Sequence, residues 1–169
     1  MQAKVMELLK DAISKVLERM FFQTLAISEK KIPLQEWFSK HQPLAGAKIE
    51  FDGTSPGTAY LISSQEALKD LTESFMGVEG GIIGEEEKRD TLKEALNMIG
   101  GQMLALMDKE GTFRLGIPRS LSESEMSPSR LEGDFLLIST GQHRLAAGIV
   151  LDRGQGEQLE HEEDKGPHR

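Results

Sequence analysis

Residues 85–107 read EEEKRDTLKEALNMIGGQMLALM, a run with an amphipathic helical pattern. Its apolar side chains cluster on one side of a 3.6-residue wheel, namely those of Leu92, Ala95, Leu96, Ile99, Met103 and Leu106. Glu94, Asn97 and Gly101 lie roughly opposite, and the three glutamates at 85–87 complement the positive end of the helix dipole. The pattern predicts a long helix whose polar face points to solvent.

The segments around this helix alternate between helical and extended patterns. Residues 2 to about 25 have apolar residues at three- and four-residue spacing, and Ser64 is a suitable N-cap for a helix that ends at glycines 77, 80 and 81. Extended segments are expected at 46–63 as a hairpin, at 112–117, and at 134–140 and 143–151, joined by the tight turn Gly141-Gln142. This order predicts an α+β domain in which long helices pack on a largely antiparallel sheet.

The length and composition are those of one globular domain with a polar tail. The chain has 169 residues, of which 38% are hydrophobic and 28% charged. From Arg153 onward there is almost nothing to bury, so residues 1–152 are expected to form the domain and residues 153–169 a disordered acidic tail.

Charge and cysteine content limit the partners and the location. A net charge of -8 argues against nucleic acid as a partner, because phosphate binding needs clustered Lys and Arg. The absence of cysteine excludes disulfides and thiolate sites and fits the cytoplasm. No apolar run approaches the roughly 20 residues that span a bilayer, and the N-terminal pattern is not that of a signal peptide, so no membrane association is expected.

Motifs for nucleotide, metal and serine-nucleophile chemistry are missing from the sequence. Residues 77–84 are glycine-rich and precede a helix, but they have neither a P-loop Lys-Ser/Thr pair nor G-x-G-x-x-G spacing. The four histidines lack metal-ligand spacing, and no serine lies in a G-x-S-x-G elbow. We therefore expect no metal or cofactor held by this chain alone, and a loop between Arg119 and Gly133.

The polar face of the helix at 85–107 carries the candidate site. Asp90, Glu94 and Asn97 are spaced i, i+4 and i+7, and a carboxylate beside a carboxamide can grip a cation and orient a water molecule. Gly100 and Gly101 follow, and each glycine inside a helix costs about 1 kcal/mol relative to alanine. Their presence indicates close approach by another backbone or a docked protein. The alternative is an ordinary solvated helix face.

The spacing of these residues resembles the active-site signature of the CheC/CheX/FliY phosphatase family, which dephosphorylates the response regulator CheY. In that signature, which lies on a long helix, an aspartate or serine is followed after three residues by glutamate and after two more by asparagine. The resemblance covers roughly residues 5–151. The first helix has Ser14 and Glu18 at signature spacing but Phe21 where asparagine should stand. The chain therefore looks closest to the single-site CheX-like branch, with a degenerate second copy in a pseudo-duplicated fold.

The resemblance implies a function for each residue of the signature. Asn97 would position the water that attacks the aspartyl phosphate of a CheY-like receiver domain, and Glu94 would dock on the active-site lysine of the receiver. Asp90 would support the helix start or the interface, and the receiver would supply Mg²⁺. An alternative is a non-catalytic adaptor that binds a receiver domain or self-associates, and a flagellar-switch component is a third. A homodimer is possible if the hairpin at 134–151 offers an edge strand.

Overall fold

The structure, a computed structural model, describes residues 2–28, 34–107, 111–131, 133–141 and 143–152. The predicted acidic tail, residues 153–169, and the turn residue Gln142 lie outside the described residues. The helices are α1 (Gln2–Arg19), α2 (Leu34–Lys40), α3 (Gln65–Met76) and α4 (Glu85–Met107). The strands are β1 (Leu25–Ser28), β2 (Leu44–Asp52), β3 (Gly57–Ser64), β4 (Arg114–Leu115), β5 (Arg119–Ser120), β6 (Asp134–Thr140) and β7 (His143–Leu151).

The strands form one seven-stranded sheet in the order β1-β6-β7-β3-β2-β4, with β5 also paired to β2. All of the pairings are antiparallel. The predicted α+β fold is therefore confirmed, as are the hairpins β2–β3 and β6–β7. The hairpin β6–β7 lies inside the sheet, because β6 pairs with β1 and β7 pairs with β3. The expectation that it offers an edge strand was wrong, because one edge belongs to β1 and the other to β4 and β5, which both pair with β2.

Helices α1, α3 and α4 cover one face of the sheet and enclose the main core. Leu61 and Leu145 from the central strands are fully buried there, together with Leu17 of α1 and Leu96 of α4. α1 and α4 also pack against each other. Helix α3 begins at the predicted N-cap, where the Ser64 side chain accepts a hydrogen bond from the Ala67 amide (3.2 Å). It ends at Gly77, whose φ of 70° is a left-handed conformation that glycine adopts without strain.

A smaller core on the other face joins α2 to the segment between β5 and β6. Trp37 of α2 and Leu131 are buried against the sheet. Residues 119–133 were predicted to be a loop, but the first two of them form β5. Side-chain hydrogen bonds stabilise the turn that follows. Arg119 pairs with Glu125 (2.6 Å), whose other oxygen accepts from the Ser122 amide (3.1 Å). Serine and glutamate three residues apart make the reciprocal bonds of a capping box.

Helix α1 ends at Arg19, so the predicted extension to about residue 25 was wrong. The side chain of Phe21 is fully buried and stacks on Phe75, with ring centroids 5.3 Å apart. Phe22 has a left-handed φ of 55°, and the Gln23 amide donates to the Leu17 carbonyl (2.9 Å). The local pattern gave no sign of this turn, because the contact that holds it comes from α3.

The fold consists of two related halves that exchange strands. In the first half, α1 leads to β1 and then to the hairpin β2–β3, and in the second half α4 leads to β4 and then to the hairpin β6–β7. β1 pairs with the hairpin of the second half, and β4 pairs with the hairpin of the first. β3 and β7 meet at the centre. The predicted pseudo-duplicated fold is thus confirmed, with α1 and α4 as counterparts.

Candidate functional site

Helix α4 begins with bonds that its own residues supply. The Gly84 amide donates to Oε2 of Glu87 (2.9 Å), and Nζ of Lys88 donates to Oε1 of Glu85 (2.8 Å). The hydrogen bond from Lys88 lowers the pKa of Glu85, which favours a negative charge at the positive end of the helix dipole. Nζ of Lys88 also lies 3.4 Å from Oε1 of Gln65, so the starts of α4 and α3 are connected.

The buried side of α4 determines where its polar side points. The residues that face the core are Thr91, Leu92, Ala95, Leu96, Ile99, Gly100 and Met103. On the opposite side, Asp90 and Gly101 are exposed, and Glu94 and Asn97 are partly exposed. The structure therefore brings the predicted polar residues together on one outward face. Leu106 was expected on the apolar side, but it is exposed.

Glu94 and Asn97 are neighbours on this face, because residues three apart on a helix have Cβ atoms about 5–6 Å apart. Within the part of the chain that the structure describes, neither side chain has a hydrogen-bond or ion-pair partner. Leu96 and Ile99 beside them are only 1% exposed, which anchors this turn of the helix on the core. The site thus presents a carboxylate and a carboxamide on a fixed backbone, both available to another molecule.

Asp90 differs from Glu94 in having a partner on its own helix. Its Oδ1 lies 3.3 Å from Nζ of Lys93, and the Asp90 side chain is 65% exposed. An exposed pair of this kind contributes little to stability. Because Lys93 pairs with Asp90, Glu94 is left without a counter-charge among the described residues.

The two glycines of α4 serve different purposes. An added Cβ on Gly100 would lie 3.1 Å from Cδ1 of Leu115, so this glycine lets α4 approach the β4 edge of the sheet. An added Cβ on Gly101 would meet no atom within 4 Å. Gly101 lies one turn beyond Asn97 on the same face, where the absence of a side chain leaves room for the backbone of a docked protein.

The predicted second copy of the signature does not form a helical face in α1. Ser14 is partly exposed and Glu18 is exposed, but Phe21 lies beyond the end of the helix with its side chain in the core. The sequence interpretation assumed a longer α1. These three residues are therefore not the counterparts of Asp90, Glu94 and Asn97.

The burial pattern of α1 identifies different counterparts, which the sequence interpretation missed. Five buried residues of α1 stand 87 positions before five buried residues of α4: Val5, Leu9, Ala12, Ile13 and Val16 before Leu92, Leu96, Ile99, Gly100 and Met103. At the same spacing, Glu7 corresponds to Glu94 and Lys10 to Asn97. The glutamate is thus present in both halves, but a lysine takes the place of the asparagine in α1. The matching apolar spacings are a signal for this register in the sequence, but choosing it over the register of Ser14, Glu18 and Phe21 requires knowing where α1 ends.

Metal binding by this face is not indicated. Among the described residues, no group of three or more His, Asp or Glu side chains is arranged to hold a metal ion. Within the same residues, no helix combines the length and apolar character needed to cross a membrane.

Comparison with known proteins gives one family match and several similar folds. The model of the family described as chemotaxis phosphatase CheX matches residues 45–139, which include all of α4. No curated protein matches the chain.

Three solved structures illustrate the likeness in fold. Chemotaxis protein CheX from Vibrio vulnificus has a TM-score of 0.69 at 16% identity, over 90% of this chain and 99% of that one. The CheX-CheY-BeF3-Mg complex from Borrelia burgdorferi has a TM-score of 0.65 at 17% identity, over 88% and 98%. FliY from Thermotoga maritima has a TM-score of 0.61 at 11% identity, over 94% and 93%.

Proposed function

This chain belongs to the CheX family of chemotaxis phosphatases, and we propose that it hydrolyses the aspartyl phosphate of a CheY-like receiver domain. The observation that carries the proposal is that Glu94 and Asn97 lie side by side on the outward face of α4, and that neither side chain has a partner among the described residues. The similar protein from Borrelia burgdorferi was crystallised with CheY, which supports a partner of that kind.

The reaction requires little from this chain. The oxygen of a water molecule forms a bond to phosphorus while the bond from phosphorus to the aspartate oxygen breaks, which releases inorganic phosphate and restores the carboxylate. The receiver brings the Mg²⁺, which neutralises charge on the phosphoryl oxygens, and a lysine beside the phosphoryl group. What it lacks is a water molecule held in line with the breaking bond, and positioning of this kind is a large source of rate enhancement.

Asn97 is suited to hold that water. Its carboxamide oxygen accepts a hydrogen bond from the water, and its NH₂ group is available as a donor. The group is neutral, so it does not repel the phosphoryl oxygens. Because the neighbouring residues of α4 are buried in the core, the direction of the side chain is set by the helix as a whole.

Glu94 is suited to dock the helix on the receiver. A carboxylate pairs with an ammonium group through a charge-assisted hydrogen bond, and the receiver lysine offers such a group next to its phosphoryl site. Among the described residues Glu94 has no counter-charge to give up, and the adjacent Lys93 pairs with Asp90. With a net charge of -8, the chain as a whole gains little long-range attraction to an acidic receiver, so recognition depends on this local contact.

The location and the assembly state stay predictions. We keep the cytoplasm as the expected location. If the protein forms a homodimer by pairing strands, the strands available for it are the edges of the described sheet, which are β1 on one side and β4 and β5 on the other.

The test is the lifetime of a phosphorylated receiver domain with and without the protein. Asn97→Ala is expected to lower the maximal rate about 100-fold, the effect of misplacing a reacting group, while binding is retained. Glu94→Ala is expected to weaken binding about 10- to 100-fold, because it removes a charge-assisted hydrogen bond. Glu7→Ala is the matched control, since it removes the corresponding carboxylate from α1.

Two outcomes would contradict parts of the proposal. If wild type and Asn97→Ala shorten the lifetime equally for every receiver from the same organism, this residue does not position the water. If wild type binds the phosphorylated receiver without shortening its lifetime, the chain is the non-catalytic adaptor.

A further inference from the structure

A cavity of about 240 Å³ lies at the end of the sheet where α2 ends and where α3 and β7 begin. Four of its lining residues are basic: Lys40, His41, His143 and Arg144. Ser64, Gln65 and Glu66 at the start of α3 form another part of the wall. None of the lining residues belongs to α4, so the cavity is separate from the face that carries Glu94 and Asn97.

Two of the basic residues already have carboxylate partners. Lys40 pairs with Glu36 (2.8 Å), and Nε2 of His143 lies 2.5 Å from Oδ2 of Asp70. Both pairs are at the margin of the cavity, since neither carboxylate lines it. The basic residues of the cavity without a carboxylate partner are therefore His41 and Arg144, and Arg144 supplies the permanent charge.

Arg144 and His41 have no carboxylate partner among the described residues. Nη1 of Arg144 donates to the carbonyls of His143 (3.0 Å) and Gly141 (3.4 Å), which orients the guanidinium while leaving its other N–H groups free of partners in the same residues. The ring of His41 packs on Trp37 with centroids 5.0 Å apart, and both basic residues are partly buried. The cavity thus holds the guanidinium of Arg144, which has no ion-pair partner among the described residues.

The pKa of His41 is affected by the same basic residues. Burial, and then the charges of Arg144 and Lys40, lower its pKa from the ordinary value of 6.5. Glu66, which is exposed, is the one carboxylate among the described residues that line the cavity. An anion in the cavity would offset the charges of Arg144 and Lys40 and make protonation of His41 easier.

We propose that this cavity binds a small phosphate-class oxyanion, either free phosphate or the phosphate group of a phosphomonoester. The planar N–H groups of Arg144 match the spacing of phosphate oxygens, which is why arginine is common where phosphate is bound. The first turn of α3 adds the positive end of a helix dipole to the side chains. The site is independent of the proposed phosphatase reaction, and its test needs no receiver domain.

The experiment titrates the whole protein with inorganic phosphate, sulfate and glycerol phosphate by calorimetry, with the ring signals of His41 followed by NMR. We expect saturable binding at one site and a shift of the His41 signals. Arg144→Gln is expected to weaken binding about tenfold or more, because it removes a charge-assisted hydrogen-bond donor. Lys4→Gln, which changes the net charge equally on the exposed side of α1, is the control and should change affinity less than twofold, about the error of such a comparison.

A pH series with sulfate tests the role of His41, because sulfate remains a dianion across the range. Affinity should rise as the pH falls from about 8 to about 5.5, since protonation of His41 is linked to anion binding. His41→Gln should reduce that rise, with His143, which also lines the cavity and pairs with Asp70, unchanged in both proteins. Arg144→Lys, which keeps the charge, should bind between wild type and Arg144→Gln and serves if the glutamine variant does not fold.

The source of the anion follows from the three ligands. Equal affinity for phosphate and glycerol phosphate means that the phosphate group alone is recognised, whereas binding of phosphate and not of the ester means that the ligand is the free oxyanion. Two results would overturn the proposal: binding that does not saturate, or an equal loss of affinity in Arg144→Gln and Lys4→Gln. Either result indicates general charge attraction without a defined site.

Discussion

Replacing Gly101 with alanine separates the stability of α4 from its use as a docking face. Gly101 is exposed inside a 23-residue helix, and an added Cβ has no atom within 4 Å. Alanine at such a position stabilises a helix by about 1 kcal/mol relative to glycine. For a domain of this size the melting temperature should rise by about 2–4 °C, measured by circular dichroism or calorimetry.

The same position is expected to have the opposite effect on activity when the side chain is larger. Gly101→Leu places a branched side chain one turn beyond Asn97, where the receiver backbone would approach α4. Forcing extra volume into a packed contact costs about 1–3 kcal/mol, which corresponds to about 5- to 150-fold in the rate constant for dephosphorylation at low receiver concentration. The assay is the phosphate lifetime of the receiver at several concentrations of the variant.

Gly100→Ala is the matched control, because the two glycines are adjacent but Gly100 is buried and Gly101 is exposed. Its Cβ would lie 3.1 Å from Cδ1 of Leu115 and 3.7 Å from Cγ2 of Ile49, so the gain in helix stability should be offset by crowding. The activity of this variant should stay near that of wild type. A folded Gly101→Leu protein with an undiminished rate of dephosphorylation would refute the docking role of this face. A lower melting temperature for Gly101→Ala would contradict the open space found next to Gly101.

Three further predictions concern stability. The hydrogen bond from Arg119 lowers the pKa of Glu125 from 4.5 to about 2, so the ionised Glu125 contributes to the free energy of unfolding above pH 4.5, and this contribution is lost as the pH falls towards 2. In urea titrations Glu125→Gln should lack this part of the pH dependence. A pH profile equal to that of wild type would contradict the prediction. Leu61→Ala at a fully buried position should lower the free energy of unfolding by about 2–5 kcal/mol, and a loss below 1 kcal/mol would mean that the site collapses around the smaller residue. Gly148→Ala brings a Cβ within 2.6 Å of the Phe135 ring and should cost about 1–3 kcal/mol by the same measurement, whereas a neutral result would show that the ring moves aside freely.

Much of the candidate site was accessible to sequence reasoning because it depends on local periodicity. The spacing of Glu94 and Asn97, and the apolar pattern on the other side of the same helix, predicted an outward polar face, and α4 has the predicted bounds. The second copy could not be placed in the same way. Ser14, Glu18 and Phe21 have the spacing of the signature, but the correct register needs the end of α1, which a contact with Phe75 sets.

The sequence by itself determined the bounds of α4, the caps of α3 and the two hairpins, since hydrogen bonds and side-chain periodicity within a few residues specify them. Only the tertiary structure decided the short strands β1 and β5, the interior position of the hairpin β6–β7 and the assignment of Glu7 and Lys10 as counterparts of the site. Strands of four residues or fewer have too little pattern to be seen locally, and they form because a distant strand supplies their hydrogen bonds. Which residues of α4 point outward is accordingly decided by local periodicity. Whether Glu94 and Asn97 stay available to a partner depends on the tertiary packing around α4.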